Sequence, residues 1–363
     1  LPDRYDGSNL GRIDRAACKA FKAKMLLYAA SPLFNCNTDY AGIVNPESGK
    51  QLFPQDKSQE KVKWETARDA YKAFFDEYGN IFSLYTEKTS DGKIDFYESY
   101  RKATSGVLYG AENKEQIFIR LADHDYRAYE TTPYHKGYDD NNGALRGGLG
   151  FGVPQEMVDL YFMKDGRRIV DDENYEEYEG VPSNGHLGWS TDYKDAVVST
   201  RTYFKANSNK TLKQWADREP RFYAWISFHN GFYECQTENV VADGTKGITY
   251  QDKMDRSDRK QRKRWLTQYK KEDNSGKMNR GNNYSPTGYL NKKGVHPGSA
   301  ARKSDNVPSL RYPLPIIRLG ELYLDYAEAC VGYGDASYVA EGMKKLNVIR
   351  ERAGIAPVLT AWA

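Results

Sequence analysis

The chain has little that would mark a metalloprotein, a redox enzyme or a membrane-spanning protein. Its 363 residues include four cysteines, Cys18, Cys36, Cys235 and Cys330, and no two form a C-x-x-C pair. That spacing argues against a zinc ribbon or a thioredoxin-like site. A chain of this length buries enough surface to fold without disulfides. Cys18 and Cys330 fall in helical pattern and read as small core residues. His124, His135, His186, His229 and His296 are scattered without metal-ligand spacing. No apolar run reaches the length of about 18 residues that a bilayer-spanning helix needs. No G-x-S-x-G elbow is present. A dominant charge is also missing, since the formal net charge is +3, so there is no strong global field. The basic run 259–264, RKQRKR, is diluted by Asp252, Asp255, Asp258, Glu272 and Asp273 and reads as a solvated face, not a nucleic-acid site.

Apolar residues are scarce as well, at 39%, and the mean hydropathy is −0.81. Tyrosine, with 29 copies, repairs part of that deficit, because its ring supplies contact area and its hydroxyl a polar tip. Most of these rings fit half-buried positions. A minority suits a surface that stacks on polar, ring-shaped ligands.

Helical pattern is concentrated at the two sequence ends. Residues 14–30 form an alanine-rich helix, with Ala16, Ala17, Ala20, Ala23, Ala29 and Ala30, and Ser31-Pro32 ends it. A second helix is expected over 59–78, where Trp64, Ala67, Tyr71, Phe74, Phe75 and Tyr78 form an apolar stripe. A third is expected over 96–108. Residues 315–354 read as a helical hairpin. Leu319, Leu322, Tyr323, Tyr326 and Ala327 share one face of its first helix. Gly332 and Gly334 are expected to stop that helix, and Asp335 or Ser337 to cap the next. Met343, Leu346, Asn347 and Arg350 carry a stripe on the second helix, with Ile349 and Ala353 beside it. Such a hairpin cannot bury its apolar face alone and calls for neighbouring hairpins, as in tetratricopeptide arrays.

Between 110 and 310 the helical pattern fades and turn residues cluster, as in Asp139-Asp140-Asn141-Asn142-Gly143. Short helices, functional loops and a few short strands are expected there, including strands over 116–120 and 221–227. Gly147-Gly148-Leu149-Gly150-Phe151-Gly152 lacks the G-K-S/T ending of a phosphate loop and leads instead into a helix at Val153-Pro154-Gln155. The acids Asp171-Asp172-Glu173 and Glu176-Glu177 are adjacent and do not face one another, so they carry no glycosidase spacing. Asp139, Asp140 and Asn141 have the ligand type for calcium but no loop signature. No cofactor is expected.

Five segments in order resemble the SusD/RagB family: GRIDRAACKAFKAKMLLYAASPLFN (11–35), VPQEMVDLYFMKDGRRI (153–169), DREPRFYAWISFHNG (217–231), TGYLNKKGVHP (287–297) and the terminal pair RLGELYLDYAEAC and LNVIRERAG. The resemblance covers nearly the whole chain. It implies a mainly α protein with a tetratricopeptide-like scaffold, a large irregular loop-rich layer and a few short strands. Residues 1–363 would be one domain, with 10–108 and 313–354 as scaffold and 109–312 as ligand-binding layer. The family's segment before the alanine-rich helix, with its secretion signal and lipid-accepting cysteine, and its helix after RERAG are not in this sequence, so a partial chain is expected. By resemblance the protein is a non-enzymatic, surface-exposed outer-membrane lipoprotein that binds oligosaccharide or polysaccharide. It would pass the glycan to a SusC-like TonB-dependent transporter, held at the membrane only by a lipid anchor outside this chain. A tetratricopeptide-type assembly scaffold and a glycoside hydrolase are the rival readings.

Sugar rings present axial C–H groups on one face and hydroxyls around the edge. Aromatic rings stack on the face while Asn, Asp or Arg bind the edge, each contact worth about 1 kcal/mol. The densest such group is Tyr126, Tyr129, Tyr134 and Tyr138 with Asp139, Asn141, Asn142 and Arg146. Trp189, in the polar loop SNGHLGWSTDY, is a second candidate. Trp215 and Trp225 read as core. No ring is carried over from the family by motif, so these are the sequence's own candidates.

Overall fold

The structure, a computed structural model, describes residues 1–105, 113–121, 150–172, 211–215, 217–229, 231–237, 281–296 and 313–362, with short pieces at 131, 148, 193–194, 197–198, 201–202, 263–266, 269, 276–277 and 300–301. Eight α-helices lie among the described residues: α1 Arg15–Ala30, α2 Glu60–Tyr78, α3 Phe96–Ser105, α4 Gln155–Asp159, α5 Pro220–Trp225, α6 Leu319–Tyr333, α7 Ala336–Ala353 and α8 Val358–Ala361. The strands are short: β1 Gln116–Arg120, β2 Tyr193–Lys194, β3 Val197–Val198, β4 Arg201–Thr202, β5 Thr211–Leu212, β6 Ile226–Ser227, β7 Phe232–Thr237, β8 Lys263–Leu266, β9 Leu290–Asn291, β10 Ala300–Ala301 and β11 Leu314–Arg318. The fold is mainly α, as expected. The chain divides into two compact units, the first Leu1–Tyr85, Tyr109–Leu121 and Leu314–Glu351, the second Thr86–Leu108, Ala122–Pro313 and Arg352–Ala363.

The first unit is a helical layer. The Asp14 carboxylate caps α1 by accepting from Ala17 N at 2.8 Å. Ala16, Ala20, Ala23, Leu27 and Ala30 form its buried stripe. These short side chains let α2 come close along the helix. From α2, Trp64, Ala67, Tyr71, Phe74 and Tyr78 fill the same core, and α6 adds Leu319, Leu322, Tyr326, Ala329 and Cys330. Each large side chain buried in this way contributes about 1.5–3 kcal/mol. Strand β1, where 116–120 was expected to be extended, pairs antiparallel with β11, with Gln116 opposite Arg318 and Arg120 opposite Leu314. The buried Glu115 anchors this edge: Arg318 Nη1 donates to its carboxylate at 2.8 Å and Leu319 N to its carbonyl at 2.9 Å.

Three expectations for this unit are corrected. Gly334 alone ends α6, with φ +81 and its N–H on Cys330 O, whereas Gly332 lies inside the helix. A Cβ on Gly332 would stand 2.4 Å from the Trp64 ring, so Gly332 seats that ring. Cys330 is buried, but Cys18 is exposed, because α1 buries its alanine stripe and turns Cys18 outward. On α7, Gly342 and Ile349 are buried, while Met343 and Leu346 are only half-buried. The cap is as expected: the Asp335 carboxylate accepts from Ser337 N at 3.0 Å. At the α6–α7 turn the Arg68 guanidinium sits between two rings, 4.0 Å from the Tyr333 centroid and 3.9 Å from that of Tyr338.

In the second unit, residues 220–225 form helix α5 rather than a strand; only Ile226 and Ser227 are extended, paired with Leu290 and Asn291 of β9. Pro220 starts the helix in its first turn, where its missing N–H costs nothing. Strand β7 lies between β8, antiparallel, and β10, parallel. Helix α4 begins at Gln155 with Pro154 as its N-cap.

Candidate functional site

Three of the five segments that carry the family resemblance converge in the second unit. They build a core of aromatic rings joined by hydrogen bonds. Trp215 Nε1 donates to Tyr289 OH at 2.8 Å, and Tyr289 OH donates to Gln155 Oε1 at 2.8 Å. This chain ties the turn before α5, the 287–297 segment and α4 together. Burial pushes the Tyr289 phenol up to about 12, so it stays a donor at neutral pH. Tyr223 OH donates to Trp215 O at 2.8 Å. Phe222, Tyr223, Trp225 and Phe228 fill the space between these polar links.

Buried cations hold the backbone of the same segments. Arg218 is 1% exposed and donates to Val158 O at 2.6 Å, Tyr161 O at 2.8 Å and Gln214 O at 3.1 Å. Those carbonyls end α4 and the turn before α5, where the helix leaves acceptors without partners. Lys292 donates to Tyr223 O at 2.8 Å and Tyr97 OH at 3.1 Å. Arg101 from α3 donates to Lys292 O at 2.7 Å and Val295 O at 3.1 Å. The fully buried Glu219 accepts from Arg221 at 2.5 Å and 2.7 Å and from Phe162 N at 2.9 Å. An acid bound in this way is a fixed strut. Asp217 takes the left-handed region, with φ +54, and pairs with Lys164 at 3.0 Å. The motifs therefore act as framework, and the core reading of Trp215 and Trp225 holds, with exposures of 2% and 8%.

Tyr126, Tyr129, Tyr134, Tyr138, Asp139, Asn141, Asn142, Arg146 and Trp189 all lie outside the described residues. In this unit Trp362 presents a surface, at 43% exposure. Its Nε1 donates to Asp171 Oδ2 at 3.3 Å, and its ring centroid lies 6.2 Å from that of Phe162 in an edge-to-face arrangement. Arg168 donates to both Asp171 oxygens, at 2.5 Å and 3.0 Å, and holds that carboxyl below its ordinary range. An exposed indole beside a fixed carboxylate and guanidinium offers a face and an edge to a polar ring. Sequence reading did not single out Trp362, because Pro357 to Ala363 carries no periodic pattern. Among the described residues no group of three or more His, Cys, Asp or Glu side chains is placed to hold a metal ion. No described helix is long and apolar enough to cross a membrane.

Comparison with known proteins bears on the fold. BT4246 superposes with a TM-score of 0.69 at 24% identity, over 99% of this chain and 57% of its own. The selenomethionine form of BT4246 gives 0.62 at 24% identity, over 96% and 56%. Surface glycan-binding protein A from Bacteroides thetaiotaomicron gives 0.42 at 15% identity, over 99% and 52%. The chain thus spans little more than half the length of the solved structures it matches. No curated protein matches the sequence. A sequence model described as the SusD family matches residues 114–363, a stretch that contains the converging segments just described, and the chain belongs to that family.

Proposed function

We propose that the protein binds oligosaccharide or polysaccharide at the cell surface without cleaving it. Family membership over residues 114–363 carries this reading. The hydrogen-bonded framework of the second unit is compatible with it, since binding residues are commonly carried by a rigid scaffold. The ligand contacts are the rings Tyr126, Tyr129, Tyr134 and Tyr138 with Asp139, Asn141, Asn142 and Arg146, and Trp189 in its own loop. Residues 1–363 act as one family domain, with 10–108 and 313–354 as scaffold and 109–312 as ligand layer. A lipid anchor outside this chain holds the protein on the outer face of the outer membrane. The bound glycan is released to a SusC-like TonB-dependent transporter.

A panel of soluble polysaccharides, run by affinity electrophoresis with product analysis, tests the reading. Retention without new reducing ends is the expected result. Reducing-end release would make the protein a hydrolase, and no retention on any glycan would favour an assembly scaffold. In the double variant Tyr134→Ala, Tyr138→Ala, affinity for the retained glycan should fall about thirtyfold, from two lost stacking contacts of about 1 kcal/mol each. The melting temperature should move by only a few degrees. Unchanged affinity would remove those two rings from the site.

A further inference from the structure

Four Asp-Gly steps occur in the sequence, at 6–7, 91–92, 165–166 and 243–244, and the last lies outside the described residues. Glycine has no side chain to keep its amide nitrogen away from the preceding carboxyl. That nitrogen can attack the Asp Cγ and close a five-membered succinimide. The N–Cγ bond forms, the Cγ–OH bond breaks, and the amide proton leaves with that hydroxyl as water. A second water then opens the ring at either carbonyl. Opening at Cγ restores aspartate. Opening at the main-chain carbonyl gives isoaspartate, with Cβ and Cγ now part of the backbone. The reaction needs a glycine N–H that is not already engaged, and a carboxyl free to turn and to take up a proton.

Two of the described steps are closed on both counts. Gly92 ends a turn and donates its N–H to Thr89 O at 2.9 Å. Thr89 Oγ1 donates to the Asp91 carboxylate and Lys93 pairs with it at 3.2 Å, contacts that hold this carboxyl below its ordinary range and keep it ionised. Gly166 likewise donates its N–H to Met163 O at 2.9 Å, and it is buried. The Asp165 carboxylate accepts from Arg167 N at 2.9 Å.

The step at 6–7 differs because its glycine opens a turn instead of closing one. Gly7 is the first residue of the short 3-10 turn Gly7–Asn9, so its N–H is a donor that the turn itself cannot satisfy. Asp6 stands in the N-cap position, yet its side chain makes no cap hydrogen bond, and its carboxylate has no ion pair among the described residues. Both residues are exposed. The step adjoins Tyr5, whose N–H bonds the Asp14 cap of α1 at 3.2 Å, so the chemistry falls beside the first turn of that helix. We infer that Asp6-Gly7 is a modification site, at which the folded chain converts aspartate to succinimide and isoaspartate, while Asp91-Gly92 and Asp165-Gly166 are protected by their turns. Exposure does not separate the three, since Asp91 and Gly92 are exposed as well. The engaged glycine N–H does. The reaction consumes and returns only water, and the inference does not depend on the glycan reading.

Ageing residues 1–363 in mildly acidic buffer, followed by tryptic mapping, tests it. The three steps fall in separate peptides, 5–12, 89–93 and 165–167. Succinimide is read as the loss of one water. Isoaspartate is read by shifted retention at unchanged mass and by electron-transfer fragmentation, which cleaves the lengthened backbone differently. Ageing in guanidinium chloride supplies the intrinsic rates of the same three peptides. Relative to those rates, peptide 5–12 of the folded chain should convert about tenfold faster or more than either of the others, because at the closed steps a hydrogen bond must break before the ring can form. A folded chain whose three rates keep the ratios seen in guanidinium chloride overturns the inference. So does a folded chain in which 89–93 or 165–167 converts faster than 5–12.

Discussion

The two units solve the same problem with different materials. The first packs small against large: the alanines of α1 meet the rings of α2, and Gly332 and Gly342 leave room for Trp64 and for the backbone of α6. The second packs rings around buried cations: Arg218, Lys292 and Arg101 hold main-chain carbonyls, and Trp215, Tyr289 and Tyr223 are linked through their polar atoms. Dispersion and area burial dominate the first unit, and fit between helices sets its limits. Hydrogen bonding decides the second. There, loss of one partner strands a buried acceptor at about 1–3 kcal/mol each. A protein with little apolar composition needs the second kind of core wherever its backbone is irregular, because loops leave peptide groups that helices would have satisfied.

The widest test of this contrast is Arg218→Met, which keeps bulk and removes the donors to Val158 O, Tyr161 O and Gln214 O. A loss of about 3 kcal/mol or more is expected in the urea unfolding free energy. A loss under about 1 kcal/mol would mean that ring packing alone carries the second unit. Gly332→Ala probes the first unit. A Cβ there meets the Trp64 ring at 2.4 Å. Overpacking of about 1–3 kcal/mol opposes a helix-propensity gain of about 1 kcal/mol, so a net loss near 1 kcal/mol should appear as a lowered denaturation midpoint. A gain in stability would show that Trp64 moves aside without cost.

The smallest effect concerns a titratable link inside the helical layer. Tyr71 OH donates to Asp325 Oδ2 at 2.8 Å. Burial raises the Asp325 carboxyl from 3.8 to about 6; Glu321 and Glu328 add to the rise, while Tyr71 and Lys24 oppose it. The folded chain therefore holds this proton more tightly than the unfolded chain. Its contribution to stability is largest below about 4 and is lost as pH rises through about 6. Comparing urea midpoints at about pH 4.5 and pH 7.5, the wild type should lose more stability on going to the higher pH than Asp325→Asn does. Equal pH dependence in the two proteins would place the titration elsewhere.

Much of the first unit was legible because its signals are local. Asp14 precedes an alanine stripe, Trp64 to Tyr78 recur on one helix face, and Asp335 follows a glycine, so caps and periodicity coincide with the observed ends of α1, α2 and α6. The strand at 116–120 also stood out, as an apolar run between polar turns. The 220–225 segment misled because Arg, Phe, Tyr and Trp suit an extended chain, and only the fold shows α5 starting at Pro220 beside the bound Glu219. Cys18 misled for another reason. Helix α1 has two apolar faces, and periodicity cannot say which one faces the core. Of the candidate site, the framework was readable through its family segments, while Trp362 was not, because an isolated ring near Pro357 carries no pattern.

By itself, the sequence determined the family, the helical pattern at both ends and the absence of a helix able to cross a membrane, since these depend on residue type and spacing along one segment. Tertiary structure decided which face of α1 is buried, why Gly332 must stay small, and how Arg218 can be sealed from water. Each of those depends on what stands opposite in space, and atoms brought together from distant parts of the chain leave no mark on the spacing of either part.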